Sequence, residues 1–142
     1  MLTKASELFR TLFETSSFSL SLEIVLQMLK KSNRITTKFQ FNLVRKYGIR
    51  HYLDFFQVNV LKPNNYEGPA RVGFVVPNSI HKAAAKRNRV KRLLRESVRN
   101  RLTKLPENTW YVVSPNQKIL KKTYEEIDSQ INQFVQKISI TR

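Results

Sequence analysis

The sequence predicts an α+β fold, a small sheet of three to four strands packed with helices. Three observations lead there. Short apolar stretches with strand character occur at Phe56 to Leu61, Arg71 to Val76 and Trp110 to Val113. Longer stretches repeat their apolar residues at helical spacing, as in Val90, Leu94 and Val98, and again in Ile127, Ile131 and Phe134. The chain has 142 residues, 41% of them hydrophobic, which suits one domain with a real core better than two.

Taken in order, residues 1–33 read as one or two short helices. Leu8 and Leu12 form a first stripe, joined by Phe9 and Phe13; Leu22, Val25, Leu26 and Leu29 form a second. This part packs as an extra helical layer or serves as a mobile leader, and the residues do not choose between the two. A helix follows from Thr36-Thr37, good cap residues, to about Tyr47, with Phe41 and Val44 inward and Gly48 as its stop. Strand periodicity then runs from His51 to Leu61, with Phe56, Val58 and Val60 alternating against Gln57, Asn59 and Leu61. Lys62 to Pro69 is a loop of turn formers. Arg71 to Val76 is apolar on both faces apart from Gly73, which places it at the centre of the sheet. Pro77-Asn78-Ser79 ends it and offers a cap to the next helix, which runs to about Leu105 and stops before Pro106. Trp110 to Val113 is a further strand, closed by Ser114-Pro115-Asn116. Leu120 to Ile138 is the last helix, with Glu125, Glu126 and Asp128 on a solvated face.

Charge narrows the function. Twenty-six Lys and Arg against ten Asp and Glu give +16, and a polyanionic partner is the usual reason a compact chain carries so much. There is no cysteine, so disulfides and thiolate metal sites are excluded. No apolar run is long enough to span a bilayer. Glu7, Arg10 and Glu14 interrupt any signal-peptide pattern, and the acids of the first 33 residues argue against a transit peptide. A cytoplasmic setting is expected. Two histidines and scattered acids offer neither an acid–base pair nor a carboxylate cluster, so no catalytic or metal-ligating residue is expected in this chain. His51 and His81 read as surface or RNA-contacting side chains.

The positive charge concentrates between Lys82 and Lys104, where ten Lys and Arg meet one acid, Glu96. On a helix, Val90, Leu94, Val98 and Leu102 form a stripe for docking on a core, with Leu93 and Leu105 beside it. Asn88, Arg92, Arg95 and Arg99 fall on the opposite face, flanked by Arg89 and Lys82. Glu96 is spaced to pair with Arg92 or Arg99. Such a helix repels itself in isolation and needs a polyanion, whose phosphates the arginine fork matches. A solvated basic face is the plainer alternative. A second candidate is the stretch containing Phe39, Phe41, Tyr47, Tyr52, Phe55 and Phe56, with Lys38, Arg45, Lys46 and Arg50 interleaved. That mixture suits stacking of unpaired bases. Phe41 and Phe56 fit core packing equally well, while strand alternation sends Phe55 to the face opposite Phe56.

Arg87-Asn88-Arg89-Val90-Lys91-Arg92, followed by Leu93-Leu94-Arg95-Glu96, resembles the signature helix of the bacterial ribonuclease P protein component. The strand Arg71-Val72-Gly73-Phe74-Val75-Val76 ahead of it fits that family as well. The resemblance covers about Arg34 to Ile138, which makes 34–142 the family domain and 1–33 an N-terminal extension outside it. It implies the ribosomal protein S5 domain 2-like fold, whose strand–helix–strand crossover is left-handed, against the general right-handed rule. It implies that Arg87, Asn88, Arg89, Lys91, Arg92, Arg95 and, on the same face, Arg99 meet the ribonuclease P RNA. A cleft containing Phe39, Phe41, Arg45, Tyr52 and Phe55 would hold the 5′ leader of precursor tRNA.

On this reading the RNA subunit performs the hydrolysis with Mg²⁺ that it largely holds itself, and the protein is part of an endoribonuclease without owning its catalytic centre. Its partners are that RNA and precursor tRNA, with no membrane, no DNA and no obligate protein partner. Two positions depart from the family pattern. Arg45 stands where a second aromatic is common, one turn after Phe41. Pro77-Asn78-Ser79 replaces a lysine pair at the strand exit. The alternative from another class is a structural RNA-binding protein of ribosomal type, which has no reason to hold Asn88 between two arginines. Peripheral membrane binding is a weaker third reading, because the basic helix offers no large aromatic on its apolar face.

Overall fold

The computed structural model describes residues 29–140. The predicted helices of residues 1–28 lie outside the described residues. The chain enters through a 3-10 turn at Lys31–Asn33 and forms α1 (Lys38–Tyr47), β1 (Ile49–Tyr52), β2 (Phe56–Leu61) and β3 (Arg71–Phe74). Next come α2 (Ala84–Arg99), β4 (Trp110–Pro115) and α3 (Tyr124–Ile140), with 3-10 turns at Leu102–Lys104 and Gln117–Lys121. The four strands make one mixed sheet in the order β1-β2-β4-β3. β1 and β4 run antiparallel to β2, while β3 and β4 are parallel and joined through α2.

Alternation sorts the sheet into two faces. Phe56, Val58, Val72, Tyr111 and Val113 pack with Val90, Leu94 and Val98 of α2 and with Ile127, Ile131, Phe134 and Val135 of α3. On the other face Val44 of α1 packs with Ile35, Trp110 and Val112. The sheet is thus a middle layer, which is why its central strand is apolar on both sides.

Three predicted elements are corrected. The stretch from His51 to Leu61 is a hairpin rather than one strand. Leu53 N–H donates to Phe56 O at 2.9 Å and closes the turn around Asp54. Because Phe55 belongs to that turn, strand alternation does not govern it, and both Phe55 and Phe56 pack on the α2/α3 side. β3 lies at the sheet edge and β4 at the centre. β3 tolerates the edge because Ile35 N–H donates to Val72 O and a parallel bridge joins Arg34 to Val72. The segment from 33 to 35 therefore covers β3 where another strand would lie, and Asn33 adds a bond to Ala70 O. Finally, α2 starts at Ala84 instead of after Ser79, with no side-chain cap, and ends at Arg99. Residues 77–80 are occupied by a turn in which Ile80 N–H donates to Pro77 O, burying Ile80.

Two caps set the other helices. Thr37 and Gln40 form a reciprocal capping box at the start of α1. Thr123 and Glu126 form another before α3, with bonds of 3.3 and 3.1 Å. Glu126 is therefore a cap residue. Glu125 and Glu126 are exposed as expected, whereas Asp128 turns inward: it accepts from Ser97 Oγ at 2.7 Å and is ion-paired with Arg101. This ties α3 to the end of α2.

Candidate nucleic-acid interface

The α2 stripe is seated as its spacing predicts. Val90, Leu94 and Val98 are buried on the sheet, and Ser97 faces α3. Arg89, Arg92 and Asn88 are exposed, and Lys91, Arg95 and Arg99 are half-buried at their stems. Among the described residues none of these cations pairs with a carboxylate, and the predicted pairing of Glu96 with Arg92 or Arg99 does not form. Arg87 does something else. Its Nη1 donates to the carbonyls of His81 and Lys82, each at 2.8 Å, and so holds the loop that leads into the helix. His81 is exposed and accepts the Ala83 N–H at Nδ1. The result is a row of guanidinium and ammonium groups to which no carboxylate of the described residues supplies a counter-charge.

The other side of the sheet carries an open pocket of about 340 Å³, lined among others by Tyr52, Gln57, Val75, Ser114, Pro115 and Asn116. It has no charged wall. Tyr52 is 70% exposed and Val75 41% exposed, so flat and apolar surface faces solvent there beside polar side chains. Gln57 and Ser114 are register partners across β2 and β4, which puts both on the pocket floor. Phe41 sits next along the same face. Its ring crosses Gly73 so closely that an added Cβ would stand 2.5 Å from it. Arg45 follows one turn later on α1 and is exposed.

The predicted aromatic cleft is therefore brought together only in part. Tyr52 lines the pocket and Phe41 borders its face of the sheet. Phe39 is 70% exposed and belongs to α1 at two residues from Phe41, which turns it away from the sheet. Phe55 is on the opposite side of the sheet, under Lys122, whose ammonium lies 4.8 Å from the ring centre. Its backbone is clamped by Gln130 Oε1 at 3.1 Å and by Asn116 N–H at 2.9 Å. Sequence reasoning missed Gln57, Ser114 and Asn116. The signal was a polar residue in each of two facing strands, visible only once their register is known. His51 is half-buried, packing edge-on to Phe134 with ring centres 5.8 Å apart. Burial there, with Lys137 nearby, lowers its pKa and keeps it neutral at pH 7.

The fold and this basic helix belong to one known family. The Ribonuclease P family model matches residues 29–139. The chain belongs to the ribonuclease P protein family. It is 31% identical over 111 residues to the ribonuclease P protein component of Finegoldia magna, covering 78% of this chain and 95% of that one. For the protein component of Clostridium novyi the values are 29% over 112 residues, 79% and 98%. Among solved structures, the RNase P protein from Thermotoga maritima superposes with a TM-score of 0.66 at 25% identity, covering 74% of this chain and 96% of its own. The RNase P protein from Staphylococcus aureus gives 0.61 at 26%, with 79% and 92% covered. Family membership implies tRNA processing and an RNA partner. Among the described residues no helix is long and apolar enough to cross a membrane, and no group of three or more His, Asp or Glu gathers to hold a metal ion.

Proposed function

We propose that this chain is the protein subunit of ribonuclease P, assisting a catalytic RNA in Mg²⁺-dependent removal of the 5′ leader from precursor tRNA. One observation carries the reading. Asn88, Arg89, Lys91, Arg92, Arg95 and Arg99 project from a helix whose opposite stripe is locked in the core, and no carboxylate of the described fold neutralises them. Preorganised, unpaired arginines match phosphates spaced along structured RNA and release its counterions on binding. The RNA subunit is the partner assigned to this face, and the Mg²⁺ ions are held mainly by that RNA. The chain's own part is to neutralise phosphates that would otherwise repel one another and so lower the Mg²⁺ needed.

The leader belongs in the uncharged pocket on the other side of the sheet. Tyr52 offers a stacking surface, and Gln57, Ser114 and Asn116 offer hydrogen bonds to base edges. Phe41 and Arg45 extend that track along α1. Phe39 and Phe55, which the structure sets apart from the pocket, are not needed for it.

Reconstitution tests the proposal. The full chain is mixed with a bacterial ribonuclease P RNA at low Mg²⁺, and cleavage of precursor tRNA is compared with that by the RNA alone. Stimulation that grows with the leader supports the subunit reading. No stimulation, with tight binding to unrelated structured RNAs, moves the assignment to a structural RNA-binding protein.

A further inference from the structure

On the α3 side of the β1–β2 hairpin lies a second cavity, of about 260 Å³. Its walls come from β1 and the turn, with His51 to Asp54, and from α3, with Gln130, Gln133, Phe134 and Lys137. It is separate from the α2 basic face and from the pocket assigned above to the leader. Yet Tyr52 and Leu53 line both cavities. β1 is an edge strand of the sheet, so the two openings meet at its end, where Tyr52 and Leu53 form the shared rim.

We infer that the two cavities form one track, and that the unpaired RNA strand held on the sheet face continues around the β1 edge at Tyr52 into the His51–Gln133–Lys137 cavity. The inference rests on the leader reading given above. Continuity is its first support, since a strand lying on Gln57 and Ser114 reaches the second cavity by passing the rim that exposed Tyr52 and half-buried Leu53 share. Chemistry is the second. Neutral His51, held edge-on by Phe134, presents a ring nitrogen, and Gln133 presents an amide; both suit base edges. Lys137 supplies a cation at the outer wall for the backbone. The carboxylate of Asp54 accepts from Gln130 Nε2 at 3.2 Å, and Gln130 in turn accepts from Phe55 N–H. That acid therefore fixes the turn, and its engagement favours a base over a phosphate at that end. Phe134 and Gln130 are buried parts of the frame, whereas Gln133 is exposed and free of core duties.

The test uses the reconstituted holoenzyme and two precursor tRNAs, with leaders of about four and about twelve nucleotides, chosen to fill one cavity or both. His51→Ala removes a cavity wall, and Gln133→Glu sets a carboxylate at an exposed helix position where folding is not at risk. Both variants are expected to weaken binding of the long-leader substrate by about ten-fold, as loss of one stacked or hydrogen-bonded nucleotide does, with the short-leader substrate unchanged. Variants that bind both substrates as the wild type does, or weaken both equally, overturn the inference. A wild-type holoenzyme indifferent to leader length also overturns the inference, whereas a Tyr52→Ala variant with full affinity for the short leader overturns the underlying leader assignment as well.

Discussion

Arg101 and Asp128 form an ion pair between the end of α2 and α3. The guanidinium donates from Nη2 to Asp128 Oδ2 at 2.8 Å and from Nη1 to Oδ1, while Ser97 Oγ bonds the same carboxylate. The Arg101 hydrogen bonds hold Asp128 below the usual carboxylate pKa, against the opposing pull of burial, and the Ser97 bond adds to them. A depressed carboxylate stabilises the native state above its unfolded value of about 4 and loses that contribution as pH falls through the lower native value. Asp128→Asn is expected to cost about 2 kcal/mol at pH 7 and to flatten the acid limb of a stability–pH curve from urea titrations. The exposed arginines of α2 answer to a different measurement. Arg92→Ala should leave stability within about 0.5 kcal/mol, because it touches no core. It should also reduce the slope of log affinity for RNA against log salt by about one unit. Arg87 divides the same way: its Nη1 bonds to the His81 and Lys82 carbonyls predict that Arg87→Ala loosens the approach to α2 as well as any RNA contact.

At the scale of elements, the phase of α2 decides everything. Val98 is 5% exposed, so Val98→Asp buries a charge with no partner and is expected to cost about 4 kcal/mol, seen as a lowered urea midpoint before any RNA is added. The crossing of α1 over the sheet depends on Gly73. An alanine there meets the Phe41 ring at 2.5 Å and Ile35 Cβ at 3.2 Å, so Gly73→Ala should displace Phe41 and cost about 1–3 kcal/mol in the same titration. The helix phase was legible in the sequence because a four-residue apolar repeat leaves one solution. The hairpin was not, because Leu53-Asp54-Phe55 lacks the glycine or proline that marks most tight turns. The position of β3 was misleading for a physical reason. An edge covered by residues 33–35 needs the same apolar residues as an interior strand. The role of Asp128 was hidden because its partner is 27 residues away in sequence.

The whole molecule carries +16, and among the described residues one ion pair, Arg101 with Asp128, joins a cation to a carboxylate. Salt should therefore act with opposite signs on its two states. Raising ionic strength screens self-repulsion and should raise the thermal midpoint of the free protein, whereas the RNA complex should weaken steeply over the same range. Parallel calorimetric and binding titrations check both signs. The candidate site was readable at this scale in its charge, in its docked helix and in Tyr52, but most of the proposed leader track was not. Beside Tyr52 the sheet-face pocket is lined by Gln57, Val75 and Ser114, which are unremarkable singly and become a surface only when the strands are set side by side.

The middle position of β4 sets an order in time. β1 and β2 meet across a three-residue turn, while Arg71 of β3 waits for Trp110, beyond the whole of α2. Local pairing closes quickly and distant pairing slowly. The floor of the sheet-face pocket needs Ser114 and Pro115, and the seat of α2 needs Tyr111 and Val113. During synthesis, which releases the N-terminal part first, neither of the surfaces proposed to meet RNA exists until β4 has emerged. A chain cut short before Trp110 would retain the cationic sequence of α2 without the scaffold that turns it into a recognition surface.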